Sequence, residues 1–301
     1  MDWLKAPLVA TSVKNFVRRT AAQLLRLVPG SAALALKRDL RDAAWLAEAD
    51  AVIVSYPKSG RTFVRAMLAR LFERKFGIDE RRLLEFPLLR DAPSGTPRLL
   101  FTHAGDTMRT PDEIRLHHAA YSGKKVVLIA RHPGDIAVSR YHHLKHRSRD
   151  RARRRLAELP LDEFVWTEQG GIPSIVQFLN DFTALPGVTI IRYEDFLADP
   201  AKALTKLAKA IGLKASAEDI ADAVEFGSLA SLKKREREGY FRSSRLQAAQ
   251  KGDDQSFKVR KGGSGGYRQA LGGEAAKRVD DYVAAKLDPA LGYSSKGRAR
   301  K

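Results

Sequence analysis

The chain has 301 residues, of which 44% are hydrophobic, so it can bury one large core or two modest ones. Its 54 basic and 35 acidic residues give a net charge of +19. That charge favours an anionic partner: a nucleotide, an acidic glycan, nucleic acid or a membrane surface. The absence of cysteine excludes a disulfide framework, a thiolate nucleophile and a cysteine-based zinc site.

Residues 1–48 form a predicted helical N-terminal extension, broken at Pro29. Residues 1–30 have no continuous apolar centre, so no signal peptide is expected, and no run approaches the roughly 20 apolar residues that span a bilayer. The segment has the pattern of a basic amphipathic helix, with the apolar residues Phe16, Leu24 and Leu27 and the basic residues Lys14, Arg18 and Arg19. This pattern fits a helix packed on the domain or a peripheral membrane contact. A cytoplasmic protein is expected.

Downstream, short apolar segments alternate with helical patterns. The predicted strands are 51–55, 99–102, 124–130 and 188–192. The predicted helices are 61–75, 111–118, 136–147, 173–182, 200–213, 217–226 and 274–287. This alternation predicts an α/β fold: a single domain over 49–301 whose central, mainly parallel sheet is flanked by helices. The polar, glycine-containing stretch 233–265 is predicted to be a mobile basic segment.

The stretch 52–67, VIVSYPKSGRTFVRAM, joins the first predicted strand to a helix through a short turn. A helix that begins at such a turn directs free N–H groups and its positive end at one point, which makes an anion site, and Lys58 adds a full charge there. A Walker loop is longer and has its lysine directly before Ser or Thr. Here Lys58 precedes Ser59 and Gly60, so we predict a P-loop-like phosphate site of another kind.

Residues 56–63, YPKSGRTF, resemble the YPKSGTTW loop of sulfotransferases that use 3′-phosphoadenosine 5′-phosphosulfate (PAPS). In that family the loop binds the 5′-phosphosulfate. The resemblance implies the following donor-binding residues: Tyr56, Lys58, Ser59, Gly60, Arg61, Thr62 and Phe63. Arg61 replaces the first Thr of the family loop, and Phe63 replaces the usual Trp.

Residues 131–139 resemble the second signature of the family, a strand ending in Arg followed by Asp-x-Ala-x-Ser. The resemblance implies that Arg131 and Ser139 bind the 3′-phosphate of PAPS. An arginine at a strand end presents two parallel donors, which suit a phosphate, and Ser139 can donate a hydroxyl from the following helix.

Residues 257–268 resemble the late RKGxxGDWK segment of the family. The matching residues Arg260, Lys261 and Gly262 are implied to close over the 3′-phosphate. Gly266, Tyr267 and Arg268 stand where Asp, Trp and Lys are usual, so a different packing of this segment is expected.

Two smaller matches concern the adenine. Tyr193 ends a strand in Ile-Arg-Tyr-Glu-Asp, as does the family tyrosine beside the adenine, and Ser228 resembles the adenine-contacting Ser before the late helix. Leu229 stands where a stacking Phe is common. With Phe63 in place of Trp, weaker adenine stacking is expected.

The chain has seven histidines, and His103 differs from the others because it directly follows a predicted strand. Phe101-Thr102-His103 resembles the Lys-Thr-His segment that bears the family's catalytic base, and a neutral imidazole suits that role. Phe101 replaces Lys, so the nearby positive charge is expected to be missing. His142 and His146 have metal-ligand spacing, but no carboxylate pattern accompanies them, and no metal is expected.

The resemblance therefore implies a PAPS-dependent sulfotransferase that moves a sulfuryl group to an acceptor hydroxyl, with 3′-phosphoadenosine 5′-phosphate (PAP) as product. The implied catalytic residues are Lys58, His103 and Ser139. The acceptor stays open among a carbohydrate, a lipid-linked sugar and a small alcohol, as does the oligomeric state.

Two alternatives remain at the level of sequence. One is an ATP-dependent small-molecule kinase, which should show a Walker lysine and a metal-binding Asp at a strand end. The other is a non-catalytic binder of polyanions or nucleic acid, suggested by the net charge and by residues 147–155, RSRDRARRR. That run is either a solvated helix face or a contact for an acidic acceptor or partner. No nucleic-acid partner is expected.

Overall fold

The computed structural model describes residues 40–106, 108–114, 116, 118–148, 150–243 and 263–293. The chain divides into two units, Met1–Trp45 and Leu46–Lys301. Of the first unit, residues 40–45 are described and are helical, with the Arg41 guanidinium 4.7 Å from the centre of the Trp45 ring. The amphipathic pattern of the predicted extension lies outside the described residues.

Four parallel strands form one sheet in the order β2-β1-β3-β4. The strands are β1 Ala51–Val54, β2 Leu99–Thr102, β3 Lys125–Ala130 and β4 Thr189–Arg192. Every residue of β1 is buried, which explains its uninterrupted apolar sequence. The register pairs Val54 with both Thr102 and Leu128, so the strands end along a common edge. The predicted parallel α/β fold is confirmed.

Helices follow the strands and cover the sheet. The longer ones are α1 Arg61–Phe76, α3 Pro133–Arg147, α6 Ile172–Thr183, α8 Pro200–Ile211, α9 Ala217–Phe226, α10 Leu229–Arg237 and α12 Gly273–Lys286. The shorter ones are α2 Phe86–Arg90, α4 Arg151–Leu156, α5 Leu161–Phe164, α7 Tyr193–Ala198 and α11 Gly266–Leu271. Single 3₁₀ turns occur at Glu80–Arg82, Pro111–Glu113, His118–Tyr121 and Pro289–Leu291. Within the described residues, no helix combines the length and the apolar character needed to cross a membrane.

Helix α1 connects the core to the sheet edge where β1 ends. Its side chains Val64, Met67, Leu68, Leu71 and Phe72 are fully buried in the hydrophobic core. Burying one such side chain stabilises the fold by about 1.5–3 kcal/mol. The first turn of α1 is therefore held in place by the packing of the turns behind it.

The predicted helix at 111–118 is wrong. The chain makes one 3₁₀ turn, Pro111–Glu113, which begins with a hydrogen bond from the Thr110 N–H to Glu113 Oε2 at 2.8 Å. Ile114 then takes an extended backbone, with φ −80° and ψ 101°, and its side chain is buried. Burial of this apolar side chain outweighs the local tendency of the segment to continue as a helix.

The stretch predicted to be mobile begins with regular structure. Residues 233–237 continue helix α10, on which Leu232 and Glu236 are buried, and Phe241 is buried beyond it. Residues 263–265 lead into α11. The part between them, residues 244–262, lies outside the described residues.

Asp219 joins α9 to α1, and its replacement tests this contact. Its carboxylate accepts the Ser216 N–H at 3.0 Å and lies 2.9 Å from both Lys75 Nζ and Arg74 Nε. The Lys75 ammonium, the Ser216 N–H and the Arg74 guanidinium hold the pKa of Asp219 well below its usual range. The carboxylate therefore stabilises the fold at neutral pH, and this contribution disappears as the pH falls through the lowered pKa.

We expect Asp219→Asn to lower the free energy of unfolding by about 1–2 kcal/mol at pH 7, because it removes the charge that pairs with Lys75 and Arg74. Urea denaturation measures this. The deficit should shrink as the pH falls below about 4, because the carboxylate protonates there in the unfolded chain while it stays ionised in the folded one. Glu218→Gln, at an exposed partner of Arg74, is the matched control and should change stability by less than about 0.5 kcal/mol. Equal losses in both variants would contradict the assignment.

Candidate functional site

The residues singled out from the sequence follow the carboxyl ends of the strands. The loop from Ser55 to Gly60 follows β1, His103 follows β2, Arg131 follows β3 and Tyr193 follows β4. In the strand order β2-β1-β3-β4, the chain passes from β1 to β2 on one side and then crosses to β3 on the other side of β1. The switch point of the sheet therefore lies between β1 and β3. Parallel sheets bind ligands at such a switch point. The loop and Arg131 lie on its two sides.

The loop after β1 turns sharply through left-handed backbone. Lys58 has φ 79° and Gly60 has φ 83°. At Gly60 a side chain is excluded as well, because a Cβ there would lie 2.3 Å from Cδ2 of Tyr193. Lys58 adopts a conformation that costs a non-glycine residue about 1 kcal/mol or more. Such strain is typical of ligand-binding turns, and here it directs the chain into α1.

The first turn of α1 offers backbone donors at the loop. The earliest helical hydrogen bonds run from the N–H groups of Phe63 and Val64 to the Gly60 carbonyl, at 3.0 and 3.3 Å. The N–H of Thr62 precedes them, in the part of a helix that has no acceptor of its own. Together with the positive end of the helix, this arrangement suits a phosphate or sulfate group.

Three buried polar atoms at the loop have no hydrogen-bond partner among the described residues: Oγ of Ser55, Oγ of Ser59 and Nε of Arg131. Ser59 Oγ and Arg131 Nε lie on the two sides of the switch point. A buried donor without a partner costs free energy, so an atom of this kind indicates a ligand or an ordered water. Both atoms fit an anionic group bound at the loop.

Arg131 connects three parts of the chain. Its Nη1 donates to the Lys58 carbonyl at 3.0 Å, and its Nη2 donates to the Gly263 carbonyl at 2.8 Å. Its guanidinium lies 4.6 Å from the centre of the Tyr193 ring. The side chain thus joins the loop, the end of β3 and the segment that begins at residue 263.

Residues 263–271 are held beside Arg131 by contacts that the sequence analysis did not anticipate. The Asp135 carboxylate accepts the N–H groups of Gly265 and Tyr267, at 2.7 and 3.2 Å, and so caps α11. The Tyr267 ring stacks on His132 with centroids 4.5 Å apart and planes at 8°. It also covers Gly134, where a Cβ would lie 2.7 Å from the ring. Tyr267 thus packs closely where the family has Trp.

Glu194 contributes a second set of contacts at this edge. Its carboxylate accepts the N–H of His132 at 3.1 Å and the hydroxyl of Tyr293 at 2.5 Å. Burial, followed by the neighbouring Glu194 carboxylate, raises the pKa of Tyr293 well above its usual value. Burial also lowers the pKa of His132, which keeps its ring neutral in the stack. The acidic residues that follow β3 and β4, Asp135 and Glu194, were the available sequence signal for these contacts.

The ring of His103 is held between two groups. Its Nδ1 lies 2.6 Å from the Ser55 carbonyl oxygen, and its Nε2 lies 2.7 Å from Nη2 of Arg61. A carbonyl oxygen only accepts, so Nδ1 carries the proton, and Nε2 accepts from the guanidinium. The imidazole is therefore neutral.

The expectation that a positive charge is missing near His103 is wrong. Phe101 does replace the family's lysine, but the Arg61 guanidinium reaches Nε2 directly. In addition, the Arg65 guanidinium lies 4.2 Å from the centre of the Phe101 ring. Arg61 and Arg65 are one turn apart on α1, so this helix supplies two cations on the side facing β2.

Two aromatic residues, one in the loop and one in the first turn of α1, pack against other aromatic rings of the protein. Tyr56 is only 1% exposed, with its ring 5.2 Å from that of Phe178 and 5.2 Å from the Arg140 guanidinium. Phe63 is half-buried and makes edge contacts with the Tyr193 and Phe196 rings, at 6.3 and 6.2 Å. Tyr56 therefore supports the loop from the core side.

The remaining predicted residues differ in position. Ser139 is half-buried on α3, one turn beyond Asp135. Ser228 caps α10, its Oγ accepting the Ser231 N–H at 3.2 Å. The three late residues Arg260, Lys261 and Gly262 lie outside the described residues. The described residues contain no cluster of three or more His, Asp or Glu side chains that could hold a metal ion.

Curated proteins of known activity match much of the chain. A cytosolic sulfotransferase 3 of Arabidopsis thaliana is 28% identical over 185 residues, which span 57% of this chain and 56% of that protein. The chain thus spans little more than half the length of that relative. A flavonol 3-sulfotransferase of Flaveria bidentis is 26% identical over 267 residues, spanning 79% of this chain and 81% of that protein.

Solved structures share the fold. Mouse sulfotransferase SULT7A1, complexed with PAP, aligns with a TM-score of 0.53 at 19% identity, covering 86% of this chain and 92% of that one. A retinol dehydratase in complex with androsterone and PAP aligns with a TM-score of 0.51 at 18% identity, covering 83% of this chain and 85% of that one.

Residues 48–290 match the sulfotransferase domain family. This range contains the phosphate loop, His103, Arg131 and helix α11. The resemblance indicated by the loop is confirmed: the chain belongs to the sulfotransferase family.

Proposed function

We propose that the protein transfers a sulfuryl group from PAPS to an acceptor hydroxyl. The observation that carries this proposal is the pair of buried polar atoms without a partner among the described residues, Ser59 Oγ and Arg131 Nε. They flank the switch point of the sheet, and Lys58, which directly precedes Ser59, accepts a hydrogen bond from Arg131 through its carbonyl. One anionic molecule with two charged ends would satisfy both atoms.

The relatives support PAPS as the donor. The curated matches are named as sulfotransferases, and the solved structures of similar fold were crystallised with PAP, the product that PAPS leaves behind. On the 5′ side, Lys58, Ser59 and the first turn of α1 would hold the phosphosulfate. On the 3′ side, Arg131 and Ser139 would hold the second phosphate, joined by Arg260 and Lys261.

PAPS supplies a sulfuryl group attached to a phosphate leaving group. In the proposed reaction, Nε2 of His103 takes the proton of the acceptor hydroxyl, while Nδ1 stays bonded to the Ser55 carbonyl and fixes the tautomer. The acceptor oxygen bonds to sulfur as the bond between sulfur and the phosphate oxygen breaks, and the electron pair leaves with PAP. Lys58 stabilises the charge that develops on that oxygen.

The acceptor presents its hydroxyl from the His103 side. There the segment after β2 contacts α3 and α4: Arg140 Nη2 lies 3.3 Å from Met108 Sδ, and Arg153 pairs with Asp106 at 3.0 Å. These contacts support an acceptor site bounded by residues 103–106, by residues 108–109 and by α3. We include a carbohydrate, a lipid-linked sugar and a small alcohol as acceptors, since each offers a hydroxyl.

The first test concerns nucleotide recognition. PAP should bind at least about 10–100-fold more tightly than AMP, because a 3′-phosphate gains charge-assisted hydrogen bonds from Arg131. Isothermal titration calorimetry measures both affinities. Arg131→Ala should remove most of the preference for PAP over AMP, whereas Arg98→Ala, at an exposed partner of Asp50, should leave both affinities unchanged. Equal binding of PAP and AMP by the wild type would rule out a 3′-phosphate site.

The second test concerns Lys58. Lys58→Ala should reduce kcat by about 10²–10³-fold at saturating PAPS, because it removes the charge that stabilises the leaving phosphate. Steady-state sulfation of a screened acceptor with labelled PAPS measures this. Lys277→Ala, which breaks an exposed pair with Asp281, is the control and should keep full turnover. Near-normal turnover in Lys58→Ala would show that Lys58 has no such role.

The third test separates the base from donor binding. His103→Ala should lower kcat by about 10²–10⁴-fold, the usual contribution of a general base, while PAP affinity stays within experimental error. The exposed His146→Ala is the control, and it should retain wild-type kcat. A parallel loss of PAP affinity in His103→Ala would assign this residue to the nucleotide site instead.

A further inference from the structure

Arg61 is the residue at which the phosphate loop departs most from the family sequence. It begins α1, and its backbone lies in the turn that follows Gly60. Its guanidinium leaves the loop and reaches Nε2 of His103 at 2.7 Å. One residue therefore belongs to the proposed donor site by its backbone and touches the proposed base by its side chain.

This contact has two consequences for the imidazole. A guanidinium has donors and no acceptor, so it can pair only with an Nε2 that carries a lone pair. Protonation at Nε2 would set an N–H against another N–H and one cation against another, so Arg61 keeps the ring neutral. The same bond occupies the lone pair that must take the proton of the acceptor.

We propose that Arg61 is a positioning residue that blocks His103 until PAPS binds, and that it then moves its guanidinium to the sulfuryl oxygens. This inference rests on the proposed function. The sulfuryl oxygens carry a negative charge and therefore accept a stronger hydrogen bond from a guanidinium than a neutral imidazole does. Binding of PAPS thus provides the free energy for the exchange and leaves Nε2 free for the acceptor hydroxyl.

The geometry limits how far Arg61 has to move. Its backbone is fixed by the first turn of α1, next to Ser59 and Gly60, where the phosphosulfate would lie. Only the side-chain torsions need to change, and the side chain is half-buried. PAP lacks the sulfuryl oxygens, so it fills the loop without supplying the acceptor to which Arg61 moves in this proposal. The base should therefore become available with the donor and be blocked again with the product.

Donor affinities test the first half of this inference. Arg61→Thr restores the family residue and removes the guanidinium. It should weaken PAPS binding by about 10-fold or more, the value of a hydrogen bond to a charged group, and leave PAP binding within about threefold. Arg61→Lys keeps the charge and should recover part of the PAPS affinity. Calorimetry without acceptor measures these affinities, and Arg90→Thr, at an exposed partner of Glu48, is the control.

Modification of His103 tests the second half. Diethyl pyrocarbonate acylates imidazole nitrogens that carry a free lone pair, and peptide mass spectrometry resolves the rate at His103 from that at the exposed His146. In the wild type, His103 should react slowly alone and with PAP, and faster with PAPS. In Arg61→Thr it should react on the order of 10-fold faster than in the wild type even without ligand, because the blocking hydrogen bond is gone.

Two results would overturn the inference on its own. One is an equal loss of PAP and PAPS affinity in Arg61→Thr, which would make Arg61 an ordinary part of the loop. The other is a His103 reaction rate that changes neither with PAPS nor with the substitution. Failure of the proposed function looks different: the wild type would then bind neither nucleotide, and the inference would fall with it.

Discussion

The whole site depends on the left-handed turn between β1 and α1. Lys58 and Gly60 both have positive φ, and this turn sets the first N–H groups of α1 beside the strand end. The turn is held from three directions, by Tyr56 in the core, by Tyr193 against Gly60, and by Arg131 on the Lys58 carbonyl. Because α1 is buried along most of its length, its free energy of packing stabilises a conformation that is locally unfavourable.

Much of the fold was predictable because local signals and the global arrangement agree. The four strands are short apolar runs, and each is followed by a break and a helical pattern, which is sufficient to predict a parallel sheet with ligands at its carboxyl edge. The match to the sulfotransferase domain confirms the resemblance of the loop. The helix at 111–118 failed because burial of Ile114 is a tertiary effect that helix-start signals at Thr110 and Pro111 do not report.

The contacts within the site were not predictable from the sequence. Arg61 approaches His103 across 42 residues, and Asp135 binds Gly265 across 130. Neither distance follows from a periodic pattern, since each depends on how two strand ends and a distant segment are packed together. The family comparison also misled in one respect. Phe101 stands where the family has lysine, which suggested that a positive charge is missing near His103. That charge is supplied instead by Arg61, which lies on α1.

Residues 263–271 dock at the end of β3, where Arg131 lies. The proposed nucleotide site therefore depends on a segment that is synthesised late. Arg131 meets the Gly263 carbonyl across 132 residues of sequence, so this part of the donor site is among the most non-local in the protein. Contacts of such separation carry a large loop-closure entropy. During synthesis, the strands and the phosphate loop leave the ribosome long before Gly263, the partner of Arg131. The site is therefore completed only when nearly all of the described chain is present.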